Sequence, residues 1–174
     1  MGLGLWVEEK MANLARSSLF SDVSPMLLRQ LAEISVPEDM ASGHVLVEAG
    51  GVHVRVGVIA TGKISMSATI QGMEIVYNVL DAGGACGLPS LTAHKGCWSR
   101  IRAALPSRVI WIDASALSSL IVKFPADGVV ILSRVADEVV TRHEILVRLV
   151  QQNLAREYGG LQGHGQHIGD QTQG

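Results

Sequence analysis

The spacing of apolar positions changes period twice along the chain, and each change marks a different kind of element. Over 8–17 (EEKMANLARS), Met11, Leu14 and Ala15 recur at helical spacing and predict a short, largely polar helix. Leu19 and Phe20 follow as an apolar plug. Ser24-Pro25 reads as a helix start, with Ser as N-cap and Pro at the first helical position. Met26, Leu27, Leu31 and Ile34 supply its buried face, and Pro37-Glu38 closes it.

From Gly43 the period falls to two. A strand over 45–48 is closed by Gly50-Gly51. Val52, Val54, Val56 and Val58 then alternate with His53, Arg55, Gly57 and Ile59, which predicts a half-buried strand ending at Thr61-Gly62. Strands over 63–70 and 73–80 turn at Gln71-Gly72. The stretch 83–113 reads as a glycine turn, a very short helix opened by Pro89, a polar loop and two short strands, the last over 108–112. Glycine turns every ~8–12 residues suit a small antiparallel β-roll or sandwich. The predicted class is α+β: an antiparallel β-roll (double-stranded β-helix, or jelly roll) with N-terminal helices and a long C-terminal dimerisation helix. The predicted boundaries are 1–36 for the helices, 37–123 for the roll, 124–158 for the long closing helix and 159–174 for a flexible Gly/Gln-rich tail.

The period returns to 3.6 after Asp113, which is placed to cap a helix through Leu117, Leu120 and Ile121. Phe124-Pro125 breaks that helix, and Asp127 is placed to cap a longer one over about 129–158. Leu132, Val135, Val139, Arg142, Leu146, Leu149 and Asn153 step by three and four, as in a coiled-coil seam. Ala136, Val140, His143, Val147, Val150 and Leu154 form a second stripe beside it. A helix with two apolar faces needs two partners: its own roll, and the same helix of a second copy. A homodimer is therefore expected.

Composition narrows the chemistry. Hydrophobic residues make up 48% and charged residues 17% of the 174, so the chain can bury a sizeable core. A net charge of −2 gives no basic face for nucleic acid. Two cysteines, Cys86 and Cys97, are too few for a disulfide scaffold and form no zinc pattern. The first residues do not read as a signal peptide, and Trp6 stands where a myristoylation signal needs Ser or Thr. No apolar run reaches the ~18 residues of a spanning helix, so no membrane association and a cytoplasmic location are expected. Nucleotide-binding loops and the usual hydrolase and metalloprotease motifs are absent, Asp113 and Asp127 read as caps, and no enzyme is expected. His53 is expected to point outward and His143 to lie in the seam or at the surface; His164 and His167 lie in the tail.

The order of elements, with Leu19-Phe20, Gly43, Gly50, Gly62 and 83–87 (GGACG) in register, resembles the cyclic nucleotide-binding domain superfamily over about residues 12–157. The superfamily includes bacterial catabolite activator proteins and the regulatory subunits of protein kinase A. That resemblance implies a phosphate-binding cassette in which a Glu takes the ribose hydroxyl and an Arg pairs with the cyclic phosphate. The cassette glycine falls on Gly87 and its leucine on Leu91; Leu88 then stands at the Glu position and Cys97 at the Arg position. Pro89 removes a further backbone donor. Without a charge-assisted pair to phosphate, cAMP and cGMP are expected to bind weakly or not at all.

The ligand-binding candidates are Gly83, Gly84, Gly87, Leu88, Pro89, Ser90, Cys97, Trp98, Ser99 and Arg100, with no catalytic and no metal-binding residues. Arg100 shares a strand face with Arg102, opposite Ile101 and Ala103, and would meet an anion only if a bulge turned it inward. The expected function is a non-catalytic regulatory ligand-sensing domain whose ligand or protein partner the sequence does not identify. Two alternatives stand beside it: a haem or thiol sensor using Cys86, Cys97 and His94, and a ligand-free interaction module using the helical seam alone. Transcriptional regulators of that superfamily carry a helix-turn-helix domain after the long helix, where this sequence has only sixteen residues, so direct sequence-specific DNA binding is not expected.

Overall fold

Short strands joined by glycine turns can close only on their antiparallel neighbours, and every described strand pair is antiparallel. The structure is a computed structural model that describes residues 2–93 and 96–162, with side chains over 6–93 and 96–155. The strands are β1 (Val36–Met40), β2 (Val45–Val47), β3 (Arg55–Thr61), β4 (Ile64–Ile70), β5 (Met73–Leu80), β6 (Ala85–Cys86), β7 (Arg100–Ala103) and β8 (Ser107–Asp113). They form two four-stranded sheets, β1-β8-β3-β6 and β2-β7-β4-β5, which face each other as a β-roll. Gln71 and Gly72 both take positive φ, at 53° and 78°, and make the tight two-residue turn of the β4–β5 hairpin.

Helices α1 (Gly2–Ala15) and α2 (Pro25–Ile34) precede the roll, and α3 (Ala114–Lys123) and α4 (Pro125–Gln162) follow it. The expected caps are present. Ser24 Oγ accepts from Leu27 N–H at 3.3 Å, and Asp113 Oδ1 accepts from Ser115 and Ala116 N–H at 2.9 and 3.1 Å.

Two cores result. One lies between the helices and the outer face of the first sheet, where Leu14, Leu19, Phe20, Leu27, Leu31, Val56, Val58, Ile110, Ile112, Leu117, Ile131 and Val135 meet. The other fills the roll with Ile59, Ile64, Met66, Cys86, Cys97, Ile101, Val109 and Trp111. The first sheet is thus buried on both faces.

That double burial corrects several expectations. The strand expected from Val52 begins at Arg55, Val52 and Val54 stay exposed, and Val56 to Ile59 are all buried instead of alternating. Met26 and Ile34 are exposed, because the face of α2 that packs runs through Leu27, Leu28, Leu31 and Ala32. β1, with Pro37 and Glu38 inside it, was not foreseen; Pro37 is tolerated because β1 is an edge strand. Asp127 does not cap its own helix. α4 starts at Pro125 directly after Phe124, and the Asp127 carboxylate instead accepts from Ser24 N–H at 2.9 Å and Ser24 Oγ–H at 2.6 Å.

The first helix starts at Gly2, and α4 continues to Gln162, into the stretch read as a tail; His164 and His167 lie outside the described residues. The expected seam is divided between two faces. Val135 and Arg142 are buried against the chain's own fold, whereas Leu132 and Val139 are exposed with Val140, Val147, Val150, Leu154 and His143. No helix among the described residues is long and apolar enough to cross a membrane.

Candidate functional site

The stretch that the resemblance assigns to a cassette begins just before β6, at Gly83 and Gly84. Gly83 N–H donates to Ile59 O at 2.8 Å, Gly83 O accepts from Ser18 N–H at 2.9 Å, and Ile59 N–H donates to Gly84 O at 3.0 Å. These two glycines therefore tie β3 and the Leu19-Phe20 loop together through their backbones. Gly87 has φ 74°, in the left-handed region, and a side chain there would press on the Arg55 carbonyl and on His53 Nδ1. It opens a single 3-10 turn, Leu88–Leu91.

That turn offers little to an anion. Pro89 has no N–H, and Ser90 directs both its N–H (3.0 Å) and its Oγ–H (2.6 Å) to the Gly87 carbonyl. Leu88, at the position the resemblance assigns to a ribose-binding Glu, is buried in the helix-side core. Ser90, Thr92 and the N-terminal residues of α3 line a cleft of about 520 Å³ on the outside of the roll.

After the loop, side chains alternate in burial along the segment leading into β7. Cys97 and Ser99 are buried, whereas Trp98 is 88% exposed. Arg100 points outward and stays there: its Nε donates to Glu48 Oε2 at 2.8 Å and its Nη1 to Glu74 Oε2 at 3.0 Å. The inward turn that would bring Arg100 to a ligand does not occur, because Glu48, just after β2, and Glu74, on β5, hold it outside. Of the ten candidates, the structure brings Cys97 and Ser99 into the roll; Gly83, Gly84, Leu88 and Ser90 serve backbone or core contacts.

Two residues that sequence reasoning missed complete the interior. Tyr77, on β5, lies 2.6 Å from Ser99 Oγ through its hydroxyl. Arg142, on α4, is only 8% exposed and crosses from the closing helix to the roll. Its Nη2 donates to the Ala85 carbonyl at 2.6 Å and to Glu138 Oε2 at 2.9 Å, while its Nε–H is buried without an acceptor. β6 and β5 each form one edge of their sheet, and α4, packed against β5 and hydrogen-bonded to Ala85 of β6, brings Arg142 to the mouth of the roll. Period alone placed Arg142 in a helix–helix seam. Its strong charge amid apolar neighbours was the one sequence sign that this position is special.

Burial dominates the ionisation of this interior. It pushes the Cys86 thiol up to about 12, against the pull of the Arg142 charge. Burial likewise raises Cys97, although the Ser99 backbone and Arg142 oppose it, and raises the Tyr77 hydroxyl against its bond from Ser99. Both cysteines are free thiols, and both are held protonated at neutral pH. Burial lowers the pKa of His53, which lies 5.1 Å from the Trp111 ring and is half-buried instead of pointing outward. His94 lies outside the described residues. Among the described residues no three His, Cys, Asp or Glu side chains are grouped to hold a metal ion.

The architecture has known counterparts. A cyclic nucleotide-binding domain from Methylobacillus flagellatus superposes with a TM-score of 0.70 at 21% identity, covering 85% of this chain and 84% of that one. The catabolite activator protein of Thermus thermophilus gives 0.65 at 18% identity, over 80% of this chain and 63% of the other. The regulatory domain of Toxoplasma gondii protein kinase A, solved with cAMP, gives 0.62 at 17% identity; 69% of this chain matches 46% of that one, so the chain spans about half its length. No family model matches the chain, and no curated protein matches it. The fold is that of the cyclic nucleotide-binding domains.

Proposed function

We propose that the chain is a non-catalytic regulatory sensing domain in which ligand at the roll is read out by the closing helix, and in which cAMP and cGMP bind weakly or not at all. The observation that carries this reading is the lining of the roll. Cys97 occupies the place that the resemblance gives to the phosphate-pairing Arg, and Arg100, the nearest cation in sequence, is engaged with Glu48 and Glu74 on the outside. A neutral thiol cannot replace the charge-assisted fork of a guanidinium. The proposed assembly is a homodimer through the exposed stripe of α4, in the cytoplasm, with no direct contact to nucleic acid.

Calorimetry with cAMP and cGMP tests the reading. No heat at micromolar ligand is the expected result, and a saturable micromolar isotherm for either nucleotide would overturn it. The thiol-sensor alternative is not favoured, since burial keeps Cys86 and Cys97 protonated and unreactive at neutral pH.

A further inference from the structure

Arg142 is the one buried guanidinium among the described residues, and its hydrogen bonding is incomplete. Both of its bonds leave from a single terminal nitrogen, Nη2, to one carbonyl and one carboxylate. The Nε–H is closed off from solvent with nothing to receive it. A guanidinium edge pairing Nε–H with a terminal N–H is a planar fork that matches two oxygens of a carboxylate or phosphate. On the roll side its charge reaches the Tyr77 hydroxyl and the two thiols, and Tyr77 is joined to the Ser99 hydroxyl, so the groups it faces in the interior are neutral. Its salt-bridge partner among the described residues is Glu138, one turn earlier on α4, whose side chain is 26% exposed.

We propose that Arg142 is the cation of an anion-binding site at the mouth of the roll, taking a carboxylate or phosphate group on the closing helix instead of on the cassette. Glu138 holds that place as an internal stand-in, and an incoming anion displaces it from the guanidinium. The inference rests on the reading of the chain as a ligand sensor, and it gives that sensor a ligand class and a lever. An anion held by Arg142 acts directly on α4, and the bond from Nη2 to Ala85 O joins the same residue to β6.

The test is thermal melting and calorimetry of the full chain with inorganic phosphate and with acetate, at ionic strength held constant with chloride so that screening does not mimic binding. The expected result is a saturable rise in melting temperature with at least one of the two anions. The response is lost in Arg142→Gln, is weakened in Arg142→Lys, which keeps the charge without the fork, and is unchanged in Arg100→Gln. In Glu138→Gln, which removes the competing carboxylate, the anion binds at least about twofold more tightly.

A purely structural salt bridge predicts no gain in that last variant, so unchanged or weaker anion affinity in Glu138→Gln overturns the proposal even if Arg142→Gln fails to fold. Wild-type anion affinity in a folded Arg142→Gln overturns the assignment of Arg142 and leaves the sensor reading standing. A wild-type protein that responds to neither anion overturns this inference, while the sensor reading is decided separately by the nucleotide calorimetry.

Discussion

Single atoms decide how closely the two faces of the first sheet can pack. Gly57 lies directly opposite Trp111 in the β3–β8 register, and a Cβ on Gly57 would come within 2.6 Å of the Trp111 ring and 2.7 Å of Val109. Gly57→Ala is therefore expected to destabilise the fold by about 1–3 kcal/mol, the usual range for overpacking. Gly96→Ala, where nothing lies within 4 Å, serves as the near-neutral control in the same urea titration. The Cys86 thiol makes a second prediction at this scale. Its folded pKa is raised from 9.0 to about 12, so above pH 9 the unfolded chain loses a proton that the folded chain keeps. Its contribution to stability is fully present below pH 9 and is lost as pH rises toward about 12. Tyr77 and Cys97 are shifted the same way and add to the slope. Chemical denaturation across that range should show stability falling with pH, and less steeply in Cys86→Ala; an equal slope in the two proteins would show that the thiol is not responsible.

Elements were legible in the sequence wherever one physical signal acted alone. Ser24-Pro25 and Asp113 mark helix starts because a cap is a local requirement, and Gln71-Gly72 marks a hairpin because its turn needs positive φ at both residues. What escaped was decided by partners distant in sequence. β1 is too short and too polar to announce itself and exists by pairing with β8, from Val36 opposite Trp111 to Met40 opposite Ser107. The cassette was legible as a sequence of residue types, but only the structure separates Cys97 and Ser99, which face the interior, from Arg100, which two carboxylates hold outside. Arg142 read as a seam residue, its charge the one sign against that, because nothing in its helix records that β6 lies beneath it. Asp127 makes the same point: it reads as a cap and instead links α4 to the N-terminus of α2 through Ser24. Asp127→Ala leaves the Ser24 N–H and hydroxyl without their acceptor, at a cost of about 1–3 kcal/mol. A double-mutant cycle with Ser24→Ala should return a positive coupling energy, and additive effects would mean that the two residues act independently.

At the scale of the whole molecule, the open question is what covers the far side of α4. Leu132, Val139, Val140, Val147, Val150 and Leu154 are each between 39% and 57% exposed, although the opposite face of the same helix is buried by Ile131, Val135 and Arg142. The stripe from Leu132 to Leu154 extends ~33 Å at 1.5 Å per residue, long for a monomer to leave in water. The same helix of a second copy offers a matching stripe of equal length, related by a two-fold axis, and that is the proposed interface. If folding and association are linked in this way, the melting temperature rises with protein concentration, since mass action favours the associated state. Replacing Val140 and Val147 together by Lys places like charges across the axis without touching the buried face. The double variant is expected to sediment as a monomer and to melt at a temperature independent of concentration, with the circular dichroism of the roll unchanged. A wild-type protein that sediments as a monomer at micromolar concentration, and whose melting does not depend on concentration, would instead leave the stripe to a different partner. It would also make any signal from the roll a matter of how α4 moves within one chain.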